Sequence, residues 1–435
     1  MQPTGLLTDH YELTMVEAAL RSGTAGRRSV FELFGRRLPS GRRYGIVAGT
    51  GRLLDAIESF QFTTEQLDHL REHEVVDEPT LEWLATYRFD GDIWGYGEGD
   101  AYFPFSPLLV VESTFAEAVV LETLLLSILN HDSAVASAAS RMTVAAEDRP
   151  CIEMGSRRTH EWAAGASARA AYIAGFASTS NLQAGLDHGV PTTGTAAHSF
   201  TLLHDSERDA FVAQVESLGT GTTLLVDTYD VETAVKTAVE VAGNELGAVR
   251  LDSGDLGVLA SRVRRQLDDL GATKTRIIVT SDLDEFSIAG LAAAPVDGYG
   301  VGTSLVTGSG HPTCGFVYKL VARAAEPTPN APLQSVAKKS ADKISVGGRK
   351  WALRRRDRTG IAEAEVIGIG AAPVDDGDDR PLLLPLVQAG EIVGREPLQT
   401  ARERHDAAVA ELPLDAHKLS RGEPAIPTEY LGRTV

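Results

Sequence analysis

Between residues 151 and 304, charged, hydroxylic and glycine residues follow directly on a series of short apolar runs. The strings are Glu153-Met154-Gly155-Ser156-Arg157-Arg158, Ser178-Thr179-Ser180-Asn181, Thr193-Gly194-Thr195-Ala196-Ala197-His198-Ser199, Asp227-Thr228-Tyr229-Asp230, Arg250-Leu251-Asp252-Ser253-Gly254-Asp255, Thr280-Ser281-Asp282 and Gly300-Val301-Gly302-Thr303-Ser304. A guanidinium is a planar fork that takes phosphate oxygens in pairs, and a glycine-rich turn turns its backbone N–H groups towards the same oxygens. Arg157, Arg158, Arg250 and the Gly300-Val301-Gly302 turn are therefore candidates for phosphate, against the plainer readings of solvated ion pairs and a tight turn. Asp227, Asp252, Asp255 and Asp282 have three open roles: holding Mg²⁺ through water, accepting hydrogen bonds from ribose hydroxyls, or capping the helices that follow, with Asp255 the best placed as a cap. His198 stands among small and hydroxylic residues that leave room beside its ring, and is read as a group that accepts a phosphoryl or donates a hydrogen bond.

Those strings act together only if the fold gathers them. Strands are expected at 151–154, 175–178, 190–195, 223–227, 248–252, 276–281 and 297–302, with helices at 207–216, 232–241, 256–270 and 283–292 that keep an apolar stripe at spacings of three and four. Such alternation is the pattern of βα units in a parallel sheet. With a further possible strand near 108–112, the pattern favours a (β/α) barrel, whose strand ends and βα loops share one face. A doubly wound sheet is disfavoured because no dinucleotide fingerprint follows the first strand. The first hundred or so residues, with Gly-rich turns around 39–51 and 90–99, suggest an α+β domain. A Pro-rich linker is expected at 326–332, short strands at 343–346 and 350–354 around Gly347-Gly348, an exposed acidic loop at 374–379 and a final helix at 397–412. The expected domains are 1–110, 111–320 and 321–435.

Composition narrows the function. A chain of 435 residues, 43% apolar, buries a large core, and its formal charge of −19 argues against the broad basic face that a nucleic acid or an anionic membrane requires. Cys151 and Cys314 are too far apart in sequence to suggest a metal cluster or a disulfide framework, and are expected as small core residues of a protein in a reducing compartment. The N-terminal residues lack the basic start and apolar run of a signal peptide, and the most apolar segment, 118–129, carries Glu122 and is too short to span a bilayer. A cytoplasmic enzyme without a membrane partner is expected.

Taken in order, Thr8-Asp9-His10-Tyr11-Glu12-Leu13-Thr14-Met15, Gly155-Ser156-Arg157-Arg158, Gly194-Thr195-x-x-His198-Ser199, Arg250-Leu251-Asp252-Ser253-Gly254-Asp255-Leu256 and Gly302-Thr303 resemble the nicotinate phosphoribosyltransferases over about residues 6–319. The resemblance implies an irregular α/β barrel of the type II phosphoribosyltransferase kind, an N-terminal α+β domain completed by C-terminal strands, and a homodimer with sites shared between subunits. It implies nicotinate, phosphoribosyl diphosphate and ATP as substrates, Mg²⁺ as cofactor, and a place in the salvage of pyridine nucleotides for NAD biosynthesis. By position, Tyr11 would stack on the pyridine ring from the partner chain and Arg157 would hold ring or phosphates. Arg250 and Asp252 would hold the diphosphate substrate, and Asp282, Gly302 and Thr303 the ribose and 5′-phosphate, with Thr195 and Ser180 nearby; His198 would be phosphorylated. Met154 stands where relatives carry a phenylalanine against the ring, and a thioether still packs on an aromatic face. Asn181 stands where nicotinamide-using relatives carry an aspartate, and the missing charge favours the acid. The alternatives are a nicotinamide phosphoribosyltransferase, a metal-dependent barrel hydrolase built on the strand-end aspartates, and a non-enzymatic binding protein.

Overall fold

The apolar runs of the middle segment form a parallel sheet in the computed structural model, which describes residues 3–328, 331–338 and 345–431. Strands β1 (Cys151–Glu153), β2 (Ser178–Thr179), β3 (Thr223–Leu225), β4 (Ala248–Leu251), β5 (Arg276–Thr280) and β6 (Gly298–Val301) lie in the order β2-β1-β6-β5-β4-β3. Every pair is parallel, and the last strand pairs with the first, Tyr299 opposite Cys151 and Val301 opposite Glu153. An open doubly wound sheet instead reverses its order at a switch point; this one is a curled, irregular barrel. Leu224, Ala248, Val249, Leu251, Ile277 and Val279 are fully buried, as expected of strands covered on both faces.

Helices follow the strands and start where short polar side chains accept a first-turn N–H. Asn181, Ser206, Asp230, Asp255 and Asp284 cap Leu182–His188, Glu207–Leu218, Val231–Ala242, Leu256–Asp269 and Glu285–Gly290. Asp284 as cap also shortens the helix expected at 283–292. The strand expected at 190–195 is reduced to one parallel bridge between Thr179 and Thr192, because Pro191 has no N–H and Gly194 no side chain to pack. The strand expected at 175–178 begins only at Ser178, since Gly175, at φ 99°, is still closing the preceding helix Glu161–Ile173.

The chain divides into two compact units, Val135–Pro312, which holds this sheet, and Met1–Ala134 with Thr313–Val435. The second is assembled from both ends of the sequence. Its seven-stranded antiparallel sheet runs Leu333–Ser335, Phe316–Ala324, Arg28–Gly35, Leu109–Thr114, Asp92–Gly95, Leu384–Gln388, Glu391–Ile392, so C-terminal strands complete an N-terminal domain. The strand expected near 108–112 belongs here and not to the parallel sheet; a short apolar run does not say which sheet it joins. Phe31 stacks on Tyr318 across the pairing of Arg28–Gly35 with Phe316–Ala324, ring centroids 4.8 Å apart. A smaller sheet joins Arg380–Pro381, Lys350–Arg356, Ala362–Ile369 and Thr428–Tyr430, and the final helix is Leu398–Ala410. Of the strand expected at 343–346, residues 343 and 344 lie outside the described ones and Ser345 and Val346 are in no strand; residues 329 and 330 of the expected linker are also outside.

The apolar segment at 118–129 is part of a longer helical stretch, Phe115–Ala146, which by length and composition is enough to cross a membrane. Its apolar window is 67% buried within the protein, and Asp132, inside the stretch, is paired with Arg52 at 2.8 Å, so it is a core helix. Cys151 and Cys314 are free and buried, their thiols pushed up by burial to about 12 and about 11.

Arg354, fully buried, ties the C-terminal strands together: it reaches Glu365 at 2.7 Å, Glu411 at 2.9 Å and the Ala101 carbonyl at 2.8 Å. Removing one side of such a pair leaves a buried charge without its counterion. Arg354→Ala is expected to lower unfolding stability by about 3–5 kcal/mol, measured by urea titration; an unshifted midpoint would show that the pairing adds nothing.

Candidate active site

Parallel strands deliver their C-terminal ends to one side, and there a cavity of about 200 Å³ opens. The turn after β1 lines it with Met154, Arg157 and Arg158; β4 with Arg250 and Asp252; β5 with Thr280, Ser281 and Asp282; and β6 with Gly300, Gly302 and Thr303. Close approach of the β1 and β6 ends depends on glycine. A Cβ on Gly155 would stand 2.2 Å from Val306 Cγ1, and one on Gly300 would stand 2.4 Å from Thr280 Cγ2 and 2.8 Å from Met154 Sδ.

Arg250 is held from three sides. Its Nε donates to Thr280 Oγ1 at 3.1 Å, its Nη1 to Thr195 Oγ1 at 3.0 Å and to the Ala196 carbonyl at 3.2 Å, and its Nη2 is 3.5 Å from Asp252 Oδ1. The Thr280 hydroxyl in turn donates to Asp252. Arg157 and Arg158 are exposed, and among the described residues neither guanidinium has a hydrogen bond or ion pair. The cavity therefore offers one fixed cation and two uncommitted ones, although the whole chain is acidic.

His198 opens the helix His198–Leu203 beside this wall. Its Nδ1 is 3.1 Å from Thr228 Oγ1, and its Nε2 is 3.9 Å from both Asp227 Oδ1 and Asp252 Oδ2. Asp227 has a side chain only 3% exposed; its Oδ2 accepts from the Asp252 N–H at 2.8 Å and the Ser253 hydroxyl at 2.9 Å, while its Oδ1 is buried without a hydrogen-bond partner. Nearby, Glu207 is pushed up to about 7 by burial, with the charges of Asp230 and Asp227 adding. Asn181 spends its Oδ1 on the Ala184 N–H at 2.8 Å and donates from Nδ2 to Ser156 Oγ at 3.0 Å.

The sequence-derived residues thus separate into groups. Met154, Arg157, Arg250, Asp252, Asp282, Gly302 and Thr303 line one cavity. Thr195 and His198 stand against its lining residues Arg250 and Asp252; Asn181 is outside the lining and bonds Ser156, in the turn that carries Arg157, while Ser180 donates its N–H to the Glu153 carbonyl at 2.8 Å with its side chain exposed. Asp255 is a helix cap. Tyr11 lies in the other unit, on the helix His10–Arg21, 46% exposed, its phenol pushed up by partial burial and the carboxylates of Glu122, Glu12 and Asp9. Thr280, Thr228 and Glu153 stood in the strand-end strings without an assigned role; their position at a strand terminus was the signal available.

Donors for Mg²⁺ are present in Asp252 and Asp282 at the cavity wall and in the orphaned oxygen of Asp227 behind it. Mg²⁺ commonly binds through one or two carboxylates and substrate phosphates, which suits this set. Among the described residues, the carboxylates whose oxygens already gather within 4.8 Å are instead Asp375, Asp376 and Asp379, in a loop of the other unit.

Comparison with known proteins decides the family. Residues 6–130 match the family model described as the nicotinate phosphoribosyltransferase N-terminal domain. Over 438 residues the chain is 58% identical to nicotinate phosphoribosyltransferase pncB1 of Mycobacterium tuberculosis, covering 99% of this chain and 96% of that protein. The chain belongs to the nicotinate phosphoribosyltransferase family. It is also 37% identical to pncB2 of the same organism, with 99% and 92% covered. Human nicotinic acid phosphoribosyltransferase superposes with a TM-score of 0.82 at 25% identity, covering 97% of each chain. The chain is a phosphoribosyl-transferring enzyme of that fold, which sets aside the hydrolase and the non-enzymatic binding protein.

Thr280→Val keeps the shape of the side chain and removes the hydroxyl between Arg250 and Asp252. A hydrogen bond to a charged group is worth about ten- to a hundredfold, and a fall of that size in kcat/KM is expected. Unchanged steady-state kinetics would show that Arg250 is held well enough without Thr280.

Proposed function

We propose that this enzyme joins nicotinate to phosphoribosyl diphosphate, giving nicotinate mononucleotide and diphosphate, and that ATP hydrolysis drives the synthesis through a phosphorylated His198. The observation that carries this reading is the cavity at the strand ends, where Arg157, Arg158 and Arg250 face Asp252, Asp282 and the Gly302-Thr303 turn. A ligand there must be an anion with hydroxyls. Arg157 and Arg158, without partners among the described residues, take the diphosphate or the ring carboxylate; Asp282 accepts ribose hydroxyls; backbone N–H groups at Gly302 and Thr303 take the 5′-phosphate.

The pyridine nitrogen supplies the electron pair for the new bond to C1′, and the C1′–O bond breaks with its pair going to diphosphate. No proton has to leave the nitrogen, so no base is needed. Catalysis rests on holding the two substrates in line and on cations placed where negative charge grows. Bound Mg²⁺ supplies further neutralisation of the departing diphosphate. Arg250 is suited to the fixed part of this task, because its three hydrogen-bonding partners leave its direction settled before the substrate arrives.

Nicotinate is preferred over nicotinamide because Asn181 is neutral and its amide is already committed at both ends. The homodimer reading rests on exposed apolar side chains. Trp162, Leu182, Leu186 and Leu203 are 82%, 78%, 79% and 77% exposed, and Leu182 and Leu186 lie one turn apart on the same helix face. In such a dimer the partner subunit's Tyr11 stacks on the pyridine ring, with Met154 on the other side. The enzyme then acts in the cytoplasm in the salvage of pyridine nucleotides for NAD biosynthesis.

Diphosphate release with nicotinate, phosphoribosyl diphosphate and Mg²⁺, with and without ATP, tests the reaction. Faster release with nicotinamide would favour the amide-using alternative. Arg250→Ala is expected to lower kcat by about a hundredfold or more, and full turnover would remove its role. Label from γ-labelled ATP is expected on the wild type and not on His198→Ala; label persisting on that variant would place the phosphoryl group on another residue.

A further inference from the structure

Glu153 is the last residue of β1 and is 1% exposed, a carboxylate in the barrel wall. Burial raises its pKa, and two donors oppose that rise: the Gly155 N–H reaches Oε1 and the Thr179 hydroxyl reaches Oε2. Its carbonyl also accepts the Ser180 N–H at 2.8 Å. The contacts continue as a ring. Thr179 Oγ1 accepts the Asn181 N–H at 2.9 Å, and Asn181 Nδ2 donates to Ser156 Oγ at 3.0 Å, which returns to the turn that begins at Gly155.

That turn carries Arg157. Its guanidinium has no partner among the described residues, so it is the backbone of the turn that brings the side chain to the cavity. The turn itself is pressed between two walls: a Cβ on Gly155 would stand 2.9 Å from Glu153 Oε1 and 2.2 Å from Val306 Cγ1, on the short helix that follows Gly302. We propose that Glu153 is a positioning residue, a buried brace that locks the Arg157 turn to the loop bearing Asn181, so that the diphosphate-binding and ring-binding sides of the site are held as one piece. Glu153 touches no substrate; it acts through Arg157 and Asn181. The inference rests on the catalytic reading above.

The test uses the full chain. Glu153→Gln keeps volume and one acceptor but replaces the other with a donor. In the wild-type background kcat/KM for phosphoribosyl diphosphate is expected to fall about ten- to a hundredfold, the worth of a charge-assisted hydrogen bond, mainly through KM. In an Arg157→Ala background the same change is expected to cost little, because residues acting through one another are not additive. Additive losses, or a folded Glu153→Gln protein with unchanged kcat/KM, would overturn the proposal. If Glu153→Gln does not fold, Thr179→Val, which removes the hydroxyl on the other side of the brace, decides by the same readouts; failure of both to fold would mark the ring as a folding element only and also overturn it. A wild-type chain that makes no product would bring down the catalytic reading instead, and calorimetric binding of phosphoribosyl diphosphate to wild type and Glu153→Gln then reads the brace on its own.

Discussion

The pairing of β6 with β1 governs the geometry of the catalytic unit. By bringing the end of the sheet back to its beginning, it lets the Met154 N–H donate to the Val301 carbonyl at 2.8 Å, and so sets the glycine turn after β6 against the arginine turn after β1. Two segments about 150 residues apart in sequence thereby become the facing walls of one cavity. The glycines at 155 and 300 follow from that approach, since a side chain on either would have to occupy space already filled by Val306, Thr280 or Met154. Parallelism does the rest, because every strand in such a sheet ends on the same side.

Within this frame the charges have different degrees of freedom. Arg250 is pinned by hydroxyls and a carbonyl from a strand end and a loop, whereas Arg157 and Arg158 have no partners among the described residues. A fixed cation costs no reorganisation when charge develops. Asp252 moderates Arg250, and the His198 ring stands between two carboxylates with neither in hydrogen-bonding range. The acidic balance of the whole chain says little about a site built from so few local groups.

Much of this was legible in the sequence, and for physical reasons. The period of apolar residues locates β4, β5 and β6 and the helices after β4 and β5 because strands covered on both faces must be apolar, and the glycine, arginine and aspartate strings lie at strand ends because loops there face solvent. Less legible were features decided by partners distant in the chain. Nothing local told that Leu109–Thr114 would pair with Arg28–Gly35, or that the apolar segment around Leu125 would extend into a helix reaching Ala146. The supporting polar groups were hardest. Thr280, Thr228 and Glu153 are ordinary residues until three-dimensional neighbours give them hydrogen bonds.

The antiparallel sheet of the other unit sets an order on synthesis. Its inner strand Arg28–Gly35 lies between Leu109–Thr114 and Phe316–Ala324, and the outer strands arrive later still, at Leu384–Gln388 and Glu391–Ile392. On a ribosome, the strands of the parallel sheet are all contiguous and emerge before residue 302, while one edge of Arg28–Gly35 waits with unpaired N–H and C=O groups until the chain is nearly three-quarters made. Until residues 316–324 are made, that open edge is a template on which another chain could pair.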